Sequence, residues 1–230
     1  MIIVGYTEKE IIEMCKKEMV NPSLFYKSDV VNYRGRTIDT HILYNEIVAN
    51  FVYEHINEFV GGIRKITRQK TYKTASHTGS RMPDERREEE YIAIELFKQG
   101  EFDFIGKVID YQTPLKNAAE DVAGKIDLLS YDGKTMYILE LKKPDSIETM
   151  LRCVLEGFTY MKTANTEKLL KDFNLPYDTK VVACPLIFLG GEQHKEMNED
   201  RPMLENLMHV LNSKPYYIIE ENNKYKVVER

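Results

Sequence analysis

The stretch Gly124-Lys-Ile-Asp-Leu-Leu-Ser-Tyr-Asp-Gly-Lys-Thr-Met-Tyr-Ile-Leu-Glu-Leu-Lys142 sets two largely aliphatic runs on either side of an Asp132-Gly133 pair. Runs of this kind around Asp-Gly predict two antiparallel strands, 125–131 and 135–141, joined by a two-residue type I′ turn. That turn predicts a register in which Tyr131 faces Lys134, Asp127 faces Ile138 and Lys125 faces Glu140. Side chains alternate along a strand and opposed residues share a face, so Asp127, Glu140 and Lys142 are expected on one face. Asp127 and Glu140 would be diagonal neighbours, with backbones about 7–8 Å apart.

Two carboxylates converging on a partly buried face repel, and one would be driven to take up a proton. A hard divalent cation removes the conflict. Oxygen donors with no nearby His or Cys suit Mg²⁺ or Mn²⁺ and suit zinc poorly. Lys142, two residues further along the face, is placed to orient or deprotonate a water, or to neutralise charge on a phosphorane-like transition state. A Glu-x-Lys at a strand end also arises by chance, and edge strands carry charge against aggregation. The turn-derived placement of Asp127 and the helices on either side distinguish this instance from a chance one.

Working outward, Thr7 with Glu10 forms a capping-box signature that predicts a helix to about Met19. Residues 21–36 read as irregular. A second helix is expected from about Asp39 to Glu58, ended by Gly61-Gly62, and a third from about Asp84 to Gln99, ended by Gly100. The period then changes to that of strands at 102–111, 125–131 and 135–141. Residues 147–173 read as helical with a break near Asn165, 180–189 as a buried strand and 203–211 as a helix. A last hairpin joins 216–220 to 225–228 across Asn222-Asn223. This order predicts an α/β fold, a mixed β-sheet flanked by helices with an N-terminal helical extension. The expected division is 1–83 for the helical part and 84–230 for the α/β core.

The 230 residues carry 43% apolar and 30% charged side chains, with a formal net charge of −5. That is the balance of an ordinary globular chain with room for a sizeable core. A negative total argues mildly against non-specific nucleic-acid binding, but where the charges lie matters more. Residues 63–82 hold Arg64, Lys65, Arg68, Lys70, Lys73 and Arg81, with no acidic residue between Gly61 and Pro83. This segment reads either as a solvated, mobile loop or as a phosphate-contacting loop that orders on substrate. The longest apolar stretch, 181–189, is too short to cross a bilayer, and 1–10 lack a leader-peptide pattern. Three scattered cysteines, Cys15, Cys153 and Cys184, suit reduced thiols in a cytoplasmic protein.

Gly124-Lys-Ile-Asp127, the twelve-residue gap and Ile138-Leu-Glu-Leu-Lys142 together resemble the PD-(D/E)xK nuclease superfamily of restriction endonucleases, resolvases and repair exonucleases. The resemblance covers roughly residues 84–190 and implies a restriction-endonuclease-like core and metal-dependent cleavage of nucleic acid, here expected to be DNA. It implies that Asp127 and Glu140 bind Mg²⁺, that the Leu141 carbonyl assists, and that Lys142 serves the attacking water. Many such enzymes use a homodimer to cut two strands. A glutamate from the first core helix often completes the site. In Arg86-Arg-Glu-Glu-Glu-Tyr-Ile-Ala-Ile-Glu-Leu-Phe97, Glu89 aligns with Ile92, Ala93 and Leu96 at helical spacing, with Glu90 one position round as the alternative. These glutamates also suit a solvated first turn. Some members carry Gln-x-x-x-Tyr on the next helix. The corresponding Glu156-Gly-Phe-Thr-Tyr160, with Arg152 one turn earlier, departs from it by Glu for Gln. That makes Arg152 and Tyr160 candidates for nucleic-acid contact, against core packing for Tyr160 and i,i+4 pairing with Glu156 for Arg152. Ile126 stands where the motif name has proline, and Pro83-Asp84 and Pro144-Asp145 lie in the wrong context.

Other signals fail. Gly133-Lys134-Thr135 resembles the tail of a phosphate-binding loop, but Leu128 stands five positions before Gly133. The five histidines have no metal-ligand spacing, and only His77, within the basic segment, merits attention.

Overall fold

The computed structural model describes residues 5–79, 87–222 and 224–229. Arg81 and the expected start of a helix at Asp84 lie outside the described residues. Thr7 caps helix α1, Glu8–Glu18, and Glu10 bonds back to the Thr7 amide, so the capping box forms as expected. Two 3₁₀ turns, Pro22–Lys27 and Asp29–Asn32, occupy the stretch read as irregular. The expected 39–58 helix is shorter and broken, into α2, Tyr44–Glu54, and α3, Ile56–Gly62. Asp39 lies ahead of α2, and its carboxylate accepts from the Glu8 amide at the start of α1 at 3.1 Å. The break falls at His55, whose ring Nδ1 sits 2.8 Å from the Phe51 carbonyl.

Helix α4, Glu88–Gln99, ends at Gly100, which takes φ 94. Strand β1, Glu101–Phe102, turns back into β2, Gly106–Pro114, so the single expected strand 102–111 is two. At Gly106 φ is 70, and a Cβ would lie 2.3 Å from the Tyr131 carbonyl oxygen; no other residue fits there. Strands β3, Lys125–Tyr131, and β4, Thr135–Lys142, follow at the expected places. Then come α5, Met150–Thr163, and α6, Thr166–Asp172, divided where Asn165 caps the Lys168 amide. Strand β5 is Lys180–Phe188. Helix α7, Glu192–Met197, was not anticipated; its six residues are too few to show a helical period. Helix α8, Pro202–Val210, and the hairpin of β6, Tyr216–Glu221, and β7, Lys224–Val228, complete the chain.

The seven strands lie in sequence order in one mixed sheet. Pairing is antiparallel from β1 to β4, parallel for β4–β5 and β5–β6, and antiparallel again for β6–β7. β4 is central and is covered on both faces. One face, through Leu128, Leu139, Leu141 and Leu186, packs on Ile92, Ala93 and Leu96 of α4. The other, through Leu129, Ile138, Ala183 and Ile187, packs on Leu151, Val154 and Phe158 of α5. The far side of α5 is covered by the N-terminal helices, where Phe59 stacks on Phe158 and meets Phe25 edge-on, both at ring separations of 6.1 Å. One continuous core therefore holds residues from both sides of position 83.

The β3–β4 register departs from expectation. Tyr131 pairs with Met136 and Leu129 with Ile138, a slip of two positions. The reason lies in the Asp132 side chain. Its Oδ1 accepts from the Lys134 and Thr135 amides at 2.8 and 2.7 Å, and Tyr137 donates to Oδ2 at 2.8 Å. These bonds build a longer loop in which only Gly133 takes a positive φ, 98°. An even slip leaves every side chain on its face. Continuing the observed register brings Asp127 directly opposite Glu140 instead of diagonal to it.

Candidate active site

Asp127 and Glu140 stand one position beyond Leu128 and Leu139, the last paired residues of β3 and β4 at this end. One Asp127 oxygen accepts from the Leu141 amide at 3.0 Å, the other from Gln112 Nε2 at 3.0 Å. Gln112 reaches it from β2 with φ 47, just past a register shift between Val108 and Asp110. Glu140 is 4% exposed, Lys142 3%. Lys142 Nζ donates to Glu140 Oε1 at 2.8 Å, and Glu148 Oε2 and Glu156 Oε2 lie 2.7 and 3.5 Å from it.

Gly157 lets α5 lie this close, since a Cβ there would meet the Glu140 Cβ at 3.3 Å. Glu156 in turn accepts from Tyr160 Oη at 2.7 Å, and Tyr26 of the first 3₁₀ turn donates to Tyr160. Arg152 Nε lies 2.8 Å from Glu148 Oε1. Tyr160 is thus enclosed, ring edge-on to Tyr26, and serves Glu156; it is not offered to an outside strand. Arg152 is likewise spent on Glu148 and, at 3.6 Å, on Glu156, which is the i,i+4 pairing considered from the sequence.

Glu89 and Glu90 separate cleanly. Glu89 Oε1 accepts from the Lys143 amide at 3.2 Å, on the strand that carries Glu140, whereas Glu90 pairs with Arg87 at 3.2 Å. Glu89, Glu90, Gln112, Asp127 and Lys143 line a cleft of about 480 Å³. Glu140 and Lys142, both buried, do not line that cleft.

The electrostatics record the crowding. Burial pushes the Asp127 carboxyl up to about 7, with Glu89 and Glu156 adding to it and Lys142 and the Leu141 amide opposing. Burial and then the Asp127 and Glu156 charges hold Glu140 well above the usual carboxylate range. Burial also raises Glu89. Burial alone would pull Lys142 down, but Glu140 and then Glu156 outweigh it and keep the ammonium charged well beyond its ordinary range.

The donor set fits a hard cation in its chemistry: Asp127, Glu140 and Glu89 supply only oxygens, and two of them are destabilised by their own proximity. In this arrangement, however, each carboxylate is already engaged by a protein donor. Among the described residues no group of three or more His, Cys, Asp or Glu side chains is arranged as ligands around one ion.

Within its described residues, 63–79, the basic segment is docked on the rest of the chain by backbone bonds. Ile66 N donates to the Thr163 carbonyl, Gln69 N to Asn117, and Tyr72 N to Asp172, with Tyr72 itself fully buried. Arg68 is consumed internally, donating to the Thr71 and Lys116 carbonyls. Arg64, Lys65, Lys70 and Lys73 remain exposed. His77 Nδ1 sits 2.7 Å from Asp110, one pleat along β2 from Gln112, and its ring stacks on Tyr111. The segment thus runs beside the 115–124 loop that leads into β3 and Asp127.

Sequence reasoning missed Gln112, Glu148 and Tyr26. Glu148 had a faint signal, its i,i+4 spacing to Arg152. Gln112 and Tyr26 had none, because they arrive from other elements. Among the described residues no helix is long and apolar enough to cross a membrane. Comparison of the chain with family models, with curated proteins and with solved structures gave no match.

Proposed function

We propose that this chain is a divalent-cation-dependent phosphodiesterase of the PD-(D/E)xK type, built on a restriction-endonuclease-like core and acting on DNA. The observation that carries the reading is the approach of Asp127 to the strand of Glu140, where its carboxylate accepts from the Leu141 amide, with Lys142 bonded to Glu140. Asp127, Glu140 and the Leu141 carbonyl would hold Mg²⁺ or Mn²⁺, and Glu89 lines a cleft with Asp127. The ion, when bound, polarises the phosphate and acidifies its water. The chain's own residues then have distinct tasks. Gln112 and the Leu141 amide orient Asp127. Lys142, kept charged by its neighbours, stabilises negative charge growing on the phosphate and positions the attacking water by donating to it. The exposed cations Arg64, Lys65, Lys70 and Lys73 give a phosphate backbone a path past the 115–124 loop.

The test is incubation of the purified chain with linear, circular and single-stranded DNA, and with RNA, in Mg²⁺ or EDTA, beside Asp127→Ala. Mg²⁺-dependent cleavage lost in the variant supports the reading; cleavage that survives it sinks the assignment. A second reading, a nuclease-like fold that binds nucleic acid without cutting, is favoured by the engagement of every site carboxylate with a protein donor. Tight DNA binding without Mg²⁺-dependent products would select it.

A further inference from the structure

Glu148 is held with unusual care for a loop residue. Its carbonyl accepts from Gln193 Nε2 at 2.6 Å and from Arg34 Nη2 at 3.1 Å. Beside it, the Thr149 amide donates to Asn32 at 3.1 Å and the Thr149 hydroxyl to the Val31 carbonyl at 2.7 Å. Gln193 also bonds the Ser146 carbonyl at 3.1 Å, and Glu196 takes the Met150 amide at 2.8 Å while pairing with Arg34 at 2.7 Å. The short link between β4 and α5 is thus clamped by the second 3₁₀ turn on one side and α7 on the other. Ordering these groups costs entropy, and closing so short a link does not require it. What the clamp delivers is a second carboxylate, 2.7 Å from the Lys142 ammonium, beside Glu140 at 2.8 Å.

We propose that Glu148 is a positioning residue for Lys142: it shares the ammonium with Glu140, and so keeps Glu140 available to a divalent cation. The inference rests on the metal-dependent reading above and adds the N-terminal unit, through Asn32 and Arg34, as part of the machinery. An ammonium and a divalent cation compete for the same Glu140 oxygens. With Glu148 present the ammonium has a second partner when the cation arrives. With Glu148 uncharged, Lys142 keeps only the longer contact to Glu156, at 3.5 Å, and leans mainly on Glu140, so the cation displaces it with less compensation. A partly exposed ion pair is worth a factor of a few, so the expected loss of affinity is about three- to tenfold.

The experiment is calorimetric titration of Mn²⁺ into the wild type, Glu148→Gln, Lys142→Met and the double variant, with melting curves to verify folding. Glu148→Gln is expected to weaken Mn²⁺ about three- to tenfold in the wild-type background and to change nothing where Lys142 is already Met. Arg34→Gln, which loosens the clamp without touching the charges at Lys142, should act in the same direction and likewise require Lys142. Equal weakening in both backgrounds would overturn the proposal, because Glu148 would then act on the ion through charge alone. No weakening in either background would overturn it too. Failure of the wild type to take up Mn²⁺ would bring down the metal-dependent reading itself, a result distinct from both.

Discussion

Lys142 is bonded to Glu140 and flanked by Glu148 and Glu156, and three carboxylates around one ammonium favour charge over basicity. Lys142→Ala is therefore expected to lower Mg²⁺-dependent cleavage by on the order of 10²-fold, the usual scale for losing a charge-stabilising donor, with cation affinity undiminished. Lys142→Arg, which keeps the charge but cannot yield a proton near neutral pH, should retain more activity than Ala. Full cleavage by the Ala variant would place the chemistry elsewhere. Asp127 carries a separate pH signature. Its carboxyl, raised by burial to about 7, favours the folded chain while protonated in both states, at low pH. That contribution is lost as pH rises from the unfolded value of about 3.9 through the folded one. Without metal, the melting temperature should fall between about pH 4 and about pH 7, and fall less in Asp127→Asn. Mn²⁺ affinity should rise over the same window, because below about 7 the ion must displace a proton. A cation affinity flat across that range would contradict the assignment.

At the scale of elements, two close approaches build the site, α5 onto β4 at Gly157 and the entry of β3 onto α5 at Gly124. A Cβ at Gly124 would lie 2.1 Å from Tyr160 Oη, whose ring is enclosed and cannot swing away. Gly124→Ala should thus cost about 1–3 kcal/mol in chemical denaturation, as overpacking does, and should break the Tyr160–Glu156 bond. Gly61→Ala, where a Cβ meets nothing within 4 Å, is the control and should be nearly neutral. Equal stabilities for the two variants would mean that the β3–α5 contact is looser than described.

For the molecule as a whole, the N-terminal unit does more than decorate the sheet, for it covers α5, grips the loop before it and carries the basic segment. With a net charge of −5, attraction for a polyanion depends on local placement. Replacing the exposed Arg64, Lys65, Lys70 and Lys73 by Ala should weaken DNA binding and make log affinity less steep in log salt, by about 0.9 per phosphate contact removed. Arg68 is best left intact, since its guanidinium ties the segment to the Lys116 carbonyl. An unchanged slope would show that nucleic acid approaches by another face.

Local chemistry was legible wherever the signal was short in range. Thr7 and Glu10 announced their capping box, Gly100 its helix end, and the alternation in 125–142 its two strands and their shared face. The face survived even a wrong register, because a slip of two preserves the period of the pleat. The register of β3 on β4 was not legible, since it depended on which amides the Asp132 side chain would take. Still less so were Gln112 beside Asp127, the docking of the basic segment on the 115–124 loop, and the grip of Asn32 and Arg34 on the Glu148 loop. The sequence by itself determined the elements and the face on which two acids and a lysine meet, because bonds within a few residues settle those. Only the tertiary structure decided which partners surround them, because the contacts across more than a hundred residues that hold Glu148 leave no period in the chain.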